Sequence, residues 1–414
     1  MDRPDTILEP LPYHLELRDY LKSRERELWN WFASAKAKAD YTDHLRLELL
    51  KSTYRLDAQG HPELYKALDE ARASLGLDIP VTLYQAQHSP ESNASLFFVP
   101  GEGHVVFAGP LLTLLNQDEI KSVIGHELAH YHLWERDNGE FFVADRLVQA
   151  VALDPRAAAC HEQTARRYQL YTEIFADRGA LCITGDIHPV VAGLVKTQTG
   201  LAQVSAAGYL KQAEEIFAQG NVATQGLSHP EAFIRARSLM LWQEKRDEAA
   251  THINHMIEGA AALDDLDLIG QMRLTGLTRR LLEHLLRPRW FQTPAVLGHA
   301  KLYFDDFVEQ SRAREQAADP SLTVGSPSDV PADLKFTDAK LREYFCYVLL
   351  DFAKVDPNLD DMPLTATLHL SQQLELDAQF EKLAAKELGL KIRDMKKLKE
   401  HAAETLAKAE ANGE

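Results

Sequence analysis

"VIGHELAHYH", residues 123–132, is the stretch on which the reading of this chain turns. His126 and His130 stand four residues apart, and Glu127 follows the first of them. On a helix, positions i and i+4 share one face a turn apart, so both imidazoles can point at a single metal ion. Glu127 is rotated by about 100° from His126. That makes it a poor third ligand, but lets it reach a water held by the metal and act on its proton. In a chain of 414 residues with 17 histidines, chance supplies this spacing in about one chain in twenty. The motif therefore needs support from elsewhere in the sequence.

Its surroundings are helical. Asn116 is a good N-cap and Glu119 completes a capping box, so a helix is expected from there to a stop near Asn138-Gly139. Upstream, "IPVTLYQAQ" (79–87) alternates like a strand, and "ASLFFVPGEGHVVFAG" (94–109) reads as two strands around a Pro100-Gly101 turn. Residues 13–75 read as helices, with Leu21, Leu28 and Phe32 at helical spacing. A second long helix is expected over "CHEQTARRYQLYTEIFADRGALCITG" (160–185), stopped by Gly185. It carries Glu173 and Asp177 on one face. Glu173 is the candidate third ligand, and Glu162 ranks well below it. Asp177 can accept a hydrogen bond from the non-ligating nitrogen of His126, fixing its tautomer. His132 points to another helix face, and His252 and His255 read as surface residues.

The ordered blocks "GHELAH", "EIFAD" and "LSHPEAFIRAR" (227–237) resemble the gluzincin metallopeptidases of the HtpX, CAAX prenyl-protein endopeptidase and mitochondrial overlapping-activity protease type. The stretch "SNASLFFVPGEGHVVFAGPLLTLL" resembles that family's strand–turn–strand entry to the active-site helix. The likeness covers about residues 70–240. It implies an α+β, mostly helical fold: a zincin-type core with a small β-sheet and an active-site helix. It implies zinc (Zn2+) on His126, His130 and Glu173, Glu127 as the base, and Asp177 behind the ligands. It also implies that His229 donates to the oxyanion of the tetrahedral intermediate, with Arg235 supporting the same region. Asn93 and its strand are candidates to pair with an extended substrate by strand addition. Well-known members are membrane-embedded, and here the chain departs from them.

No run of about 18 apolar residues occurs, and the N-terminus lacks the apolar core of a signal peptide. The expectation is a chain with no integral membrane insertion. Three widely spaced cysteines, Cys160, Cys182 and Cys346, suit free thiols in a reducing compartment, so a cytoplasmic location is expected. Acidic residues outnumber basic ones 62 to 45, a net charge of −17, which argues against nucleic acid or an anionic membrane as the main partner.

The organisation read from composition is an N-terminal helical segment over 1–75, a metallopeptidase core over 76–245 and a helical extension over 246–316. A Pro/Gly-rich linker over 317–333 and an all-helical domain over 334–414 complete it. In that last domain Leu341, Phe345, Val348, Leu349 and Phe352 share a face. Its sequence weakly resembles TerB-type helical domains, which leaves room for a protein partner. "DPNLDD" fails the EF-hand pattern, because the required Gly is missing and Thr367 stands where the bidentate Glu would be. The lysine-rich end reads as an amphipathic helix. The functional expectation is a zinc-dependent endopeptidase acting on peptide or protein substrates. Its rivals are a zinc-bearing, non-catalytic scaffold or stress-response binding module, and a metal sensor or carrier.

Overall fold

A computed structural model describes residues 8–220, 222–259, 263–307 and 339–412. The linker expected over 317–333 lies outside these residues. Two compact units emerge, one holding residues up to 260 with 267–269, the other 261–266 with the chain from 270 onward.

The first unit begins with helices α1 (Pro12–Arg24), α2 (Arg26–Ala33) and α3 (Ala35–Ser52), then strand β1 (Thr53–Arg55) and helix α4 (Pro62–Leu75). Glu25 leaves helical geometry (φ −109°, ψ 43°), so the helical phase restarts there. Trp29 turns inward, and Leu28, expected on the inner face, is exposed. β1 interrupts what reads as continuous helix. Its Thr-Tyr-Arg run pairs antiparallel with β2 (Val81–Ala86).

β3 (Asn93–Val99) and β4 (Glu102–Ala108) form the expected hairpin. Gly101 takes φ +83° at its tip, a conformation a Pro-Gly turn reserves for glycine. The sheet order is β1-β2-β4-β3, with β2 parallel to β4. β4 lies inside and is buried on both faces: Val105 and Phe107 join Leu68, Ile124 and Leu128, while Val106 joins Leu45 and Leu49 of α3. β3 is left as an edge strand.

After a short α5 (Leu111–Leu114) comes α6 (Gln117–Ala152), and then α7 (Ala159–Thr184). The Asn116/Glu119 capping box forms as expected. Buried Lys196, on α8 (Ile187–Thr199), also donates to Glu119, at 2.8 Å. α6 breaks at Arg136–Gly139, where Asp137, Asn138 and Gly139 all have positive φ. Asn, Asp and Gly tolerate that geometry best. The chain then resumes as helix with Phe141, Ala144, Leu147 and Val148 inside, beyond the stop expected near Asn138-Gly139.

α6 and α7 approach closely through small residues. A Cβ on Gly179 would stand 2.3 Å from the Ala129 Cβ, and one on Gly125 would stand 2.8 Å from the Ile183 side chain. Helices α9 (Ala206–Ala218), α10 (Ala232–Lys245) and α11 (Ala249–Glu258) complete the unit. Buried Asp267 accepts from Tyr13 of α1 (2.5 Å) and Arg167 of α7 (2.6 Å), so its charge is compensated.

The second unit is helical. Leu281, Leu285 and Phe291 share a core with Phe345, Leu349, Phe352, Leu368 and Phe380. Residues 246–316, read as one extension, therefore divide: α11 joins the first core through Ile253 and Ile257, and residues 281–307 pack with the C-terminal helices. The lysine-rich end breaks at His401 into Ile392–Glu400 and Ala402–Asn412. In the acidic loop, Asp356 is buried and accepts from Thr293 and the Asn358 amide.

Candidate active site

α6 and α7 run antiparallel, so successive turns of one meet successive turns of the other. His126 Nδ1 lies 3.1 Å from Asp177 Oδ1. One turn on, His130 Nε2 lies 3.5 Å from Glu173 Oε1. His126 Nε2 is 3.2 Å from His130 Nε2 and 3.4 Å from Glu173 Oε2. With the Glu173 carboxylate taken as one corner, the three ligand groups form a triangle whose nearest approaches are 3.2, 3.4 and 3.5 Å, each histidine nearest a different carboxylate oxygen. Tetrahedral ligands at ~2.0–2.1 Å from a metal are separated by about 3.3 Å, so the triangle fits one face of such a site. Among the described residues, His126, His130 and Glu173 are the group placed to hold a metal ion.

The electrostatics agree with that fit. Burial alone would depress the His126 pKa, but bonding to Asp177 and Glu173 outweighs it and lifts the value to about 10. The two carboxylates thus demand positive charge at that point. At His130 burial wins, assisted by the His126 charge, and its pKa falls to about 3, which keeps its lone pair free. Glu173 and Asp177 stay ionised despite burial, chiefly because of Arg235.

Arg235, on α10, lies behind the ligands. Its guanidinium binds both Asp177 oxygens (2.7 and 2.6 Å) and lies 3.3 Å from Glu173 Oε2. The family resemblance implies a place near the oxyanion; the partners of Arg235 are the two carboxylates. A lone Arg after Ser-His-Pro does not reveal which buried acids it will meet.

Glu127 is buried, and its carboxylate faces the Leu96 amide on the edge strand. Burial raises its pKa to about 7, while the His126 charge and that amide oppose the rise. His229 is half-exposed at the rim, with Nε2 3.6 Å from Glu173 Oε1. Its loop is pinned at several points. Arg166 donates to the Gly226 and Thr224 carbonyls, and Glu231 accepts from Thr224 Oγ1 and the Gln225 amide. Gly226 is required there, since a Cβ would lie 1.9 Å from the His229 carbonyl oxygen. Sequence reasoning missed Arg166, which carries no motif.

His126, Glu127, His130, Glu173, Asp177, His229 and Arg235 line one cleft of about 360 Å³, together with Asn93–Leu96 of the β3 edge. The exposed Asn93 side chain accepts from the Ala94 amide. Glu162 is exposed and outside the cleft, His132 faces the Leu8 backbone, and His252 and His255 are exposed.

Residues 58–243 match the model of peptidase family M48. This stretch is an M48 peptidase domain. The match spans strands β2–β4, both ligand-bearing helices and the His229 loop, and so contains every candidate site residue, while β1 lies before it. The match supports a metallopeptidase function in general terms, which implies peptide or protein substrates. No curated protein and no solved structure matches the chain. No described helix is long and apolar enough to cross a membrane.

Proposed function

We propose that the chain is a zinc-dependent endopeptidase whose zinc is held by His126, His130 and Glu173. The observation that carries this reading is the triangle of ligand atoms with Glu127 beside it, in an open cleft bordered by an edge strand. When bound, the zinc would polarise the scissile carbonyl and acidify a water molecule. Glu127 takes the proton of the attacking water and passes it to the leaving amine. His229 donates to the oxyanion as charge develops. Asp177 holds the His126 ring, and Arg235 holds Asp177. The backbone edge of β3, apart from the Leu96 amide that faces Glu127, offers hydrogen bonds to an extended peptide. The three unpaired cysteines support work in a reducing compartment such as the cytoplasm.

Metal analysis and peptide cleavage test the reading together. The purified protein should carry about one zinc per chain. Glu127→Gln should keep that zinc and lose at least ~10²-fold in cleavage rate. His229→Phe should lose ~10²–10³-fold, also with little effect on zinc. A zinc-loaded wild type that cleaves nothing across a broad peptide library would overturn the enzymatic reading in favour of a scaffold.

A further inference from the structure

The cleft extends well beyond the ligands, and its two ends differ. Past His126 it is lined mainly by Leu111, Val123, Val190 and Leu194, and the Ser122 and Thr197 hydroxyls among them are taken up by backbone carbonyls. Past His130 the next turns of the helix pair bring Trp134 and Gln169, and the resumed half of α6 adds Asp145. The Trp134 ring packs on the His130 ring, with centroids 5.5 Å apart.

Three polar groups at this second end have no partner among the described residues. The Trp134 Nε1–H is buried and unbonded. The Gln169 amide and the Asp145 carboxylate, both partly buried in the cleft wall, make no hydrogen bond or ion pair. Elsewhere in this unit buried acids are matched: Asp177 with Arg235, Asp267 with Arg167, Glu119 with Lys196. Asp145, like the base Glu127, has no paired cation, and the neighbour it crowds is the Tyr168 phenol. Burial accordingly pushes its carboxyl up to about 7, with Arg146 alone opposing the shift. An unmatched carboxylate facing a substrate cleft is a position that a cationic ligand would complete.

We propose that Asp145, with Gln169 and the Trp134 indole, forms a subsite that selects substrates carrying a lysine or arginine side chain. The charged head meets the Asp145 carboxylate and the Gln169 carbonyl, and the aliphatic stem lies along the indole. The net charge of −17 draws cationic peptides toward the molecule, while the subsite fixes which residue is read. The inference rests on the peptidase reading, which supplies the substrate class.

Two measurements separate the subsite from that reading. The first is cleavage of matched peptides carrying Lys or norleucine at each position around the scissile bond. One fixed position should favour Lys by about 10- to 100-fold, the range of a charge-assisted hydrogen bond. Asp145→Asn should bring that ratio close to one, and Asp145→Lys should invert it toward a Glu peptide. The second is fluorescence anisotropy of the same peptides on metal-loaded Glu127→Gln protein, which reads binding without turnover. Selective binding of the Lys peptide, lost in Glu127→Gln/Asp145→Asn, would support the subsite even if the wild type cleaves nothing. Cleavage or binding whose Lys preference survives Asp145→Asn, or shows no Lys preference at any position, would overturn the subsite and leave the peptidase reading standing. Neither cleavage nor binding would overturn both.

Discussion

Gly179→Ala is the sharpest probe of how the metal site is positioned, because it adds one methyl group where α6 and α7 have no room. The new Cβ would lie 2.3 Å from the Ala129 Cβ and 3.2 Å from Leu8 Cδ2. Carbon atoms rest at ~3.5–4.0 Å, so the helices must part by roughly 1.2–1.7 Å. Alanine gains about 1 kcal/mol of helix propensity over glycine, and overpacking costs ~1–3 kcal/mol, so the net loss of fold stability is small, about 0–2 kcal/mol. The site is hurt more. Glu173 and Asp177 ride on α7, so the two edges from Glu173 to the histidines, 3.4 and 3.5 Å, would have to open by a similar distance, while the His126–His130 edge within α6 stays as it is. Metal affinity, measured by competition with a chromophoric chelator, should fall about 10- to 100-fold. Removing the opposing methyl with Ala129→Gly should restore most of it in the double variant. Gly298→Ala serves as the control, since nothing lies within 4 Å of its added Cβ, and it should leave affinity unchanged. Wild-type affinity in Gly179→Ala, or a loss that Ala129→Gly does not relieve, would refute the positioning argument.

Two further outcomes follow from charges in the cleft. Arg235→Ala leaves Asp177 and Glu173 buried without their cation, so the metal-free protein should lose ~3–5 kcal/mol in denaturant unfolding; Arg235→Lys keeps the charge without the two-pronged geometry and should lose less, and a metal-free Arg235→Ala as stable as wild type would contradict the role. Asp145 has a folded pKa about 7 against ~3.9 when unfolded, so the folded state binds the extra proton and the carboxyl lowers stability progressively as pH rises from about 4 to about 7. Asp145 keeps some access to cleft water, which reduces the ~4 kcal/mol of the full shift to ~1–2 kcal/mol. Asp145→Asn should therefore be the more stable protein at pH 8 by that amount and equal near pH 4; the same difference at both pH values would count against it.

What the sequence made legible was whatever local periodicity encodes. The i, i+4 spacing of His126/His130 and of Glu173/Asp177 is a property of one helix at a time, and so are the Asn116 cap and the Gly185 stop, where φ is +68°. The Pro100-Gly101 hairpin is equally local. What escaped notice depends on which elements meet. Arg235 sits among buried acids only because α10 crosses behind α7. The close approach at Gly179 and Ala129 involves residues 50 positions apart, each unremarkable in its own helix. β1 was hidden because three residues carry no period, and their strand exists only through pairing with β2. The division of residues 246–316 between two cores was hidden for the same reason: apolar spacing says that a face is buried, but not against what.

The elbow at Arg136–Gly139 has a consequence for how such a cleft can change. It puts a joint between the helical turns that carry His126, Glu127 and His130 and the turn that carries Asp145. Three successive left-handed residues end the hydrogen-bond ladder of the first half, so the second half is aimed by its own packing through Phe141, Leu147 and Val148. An inserted or deleted residue at the joint would re-aim the end wall of the cleft while the metal-facing turns kept their register. Reaction and selectivity are thereby inherited on separate pieces of one continuous segment, and descendants of this chain could explore new diets without relearning hydrolysis.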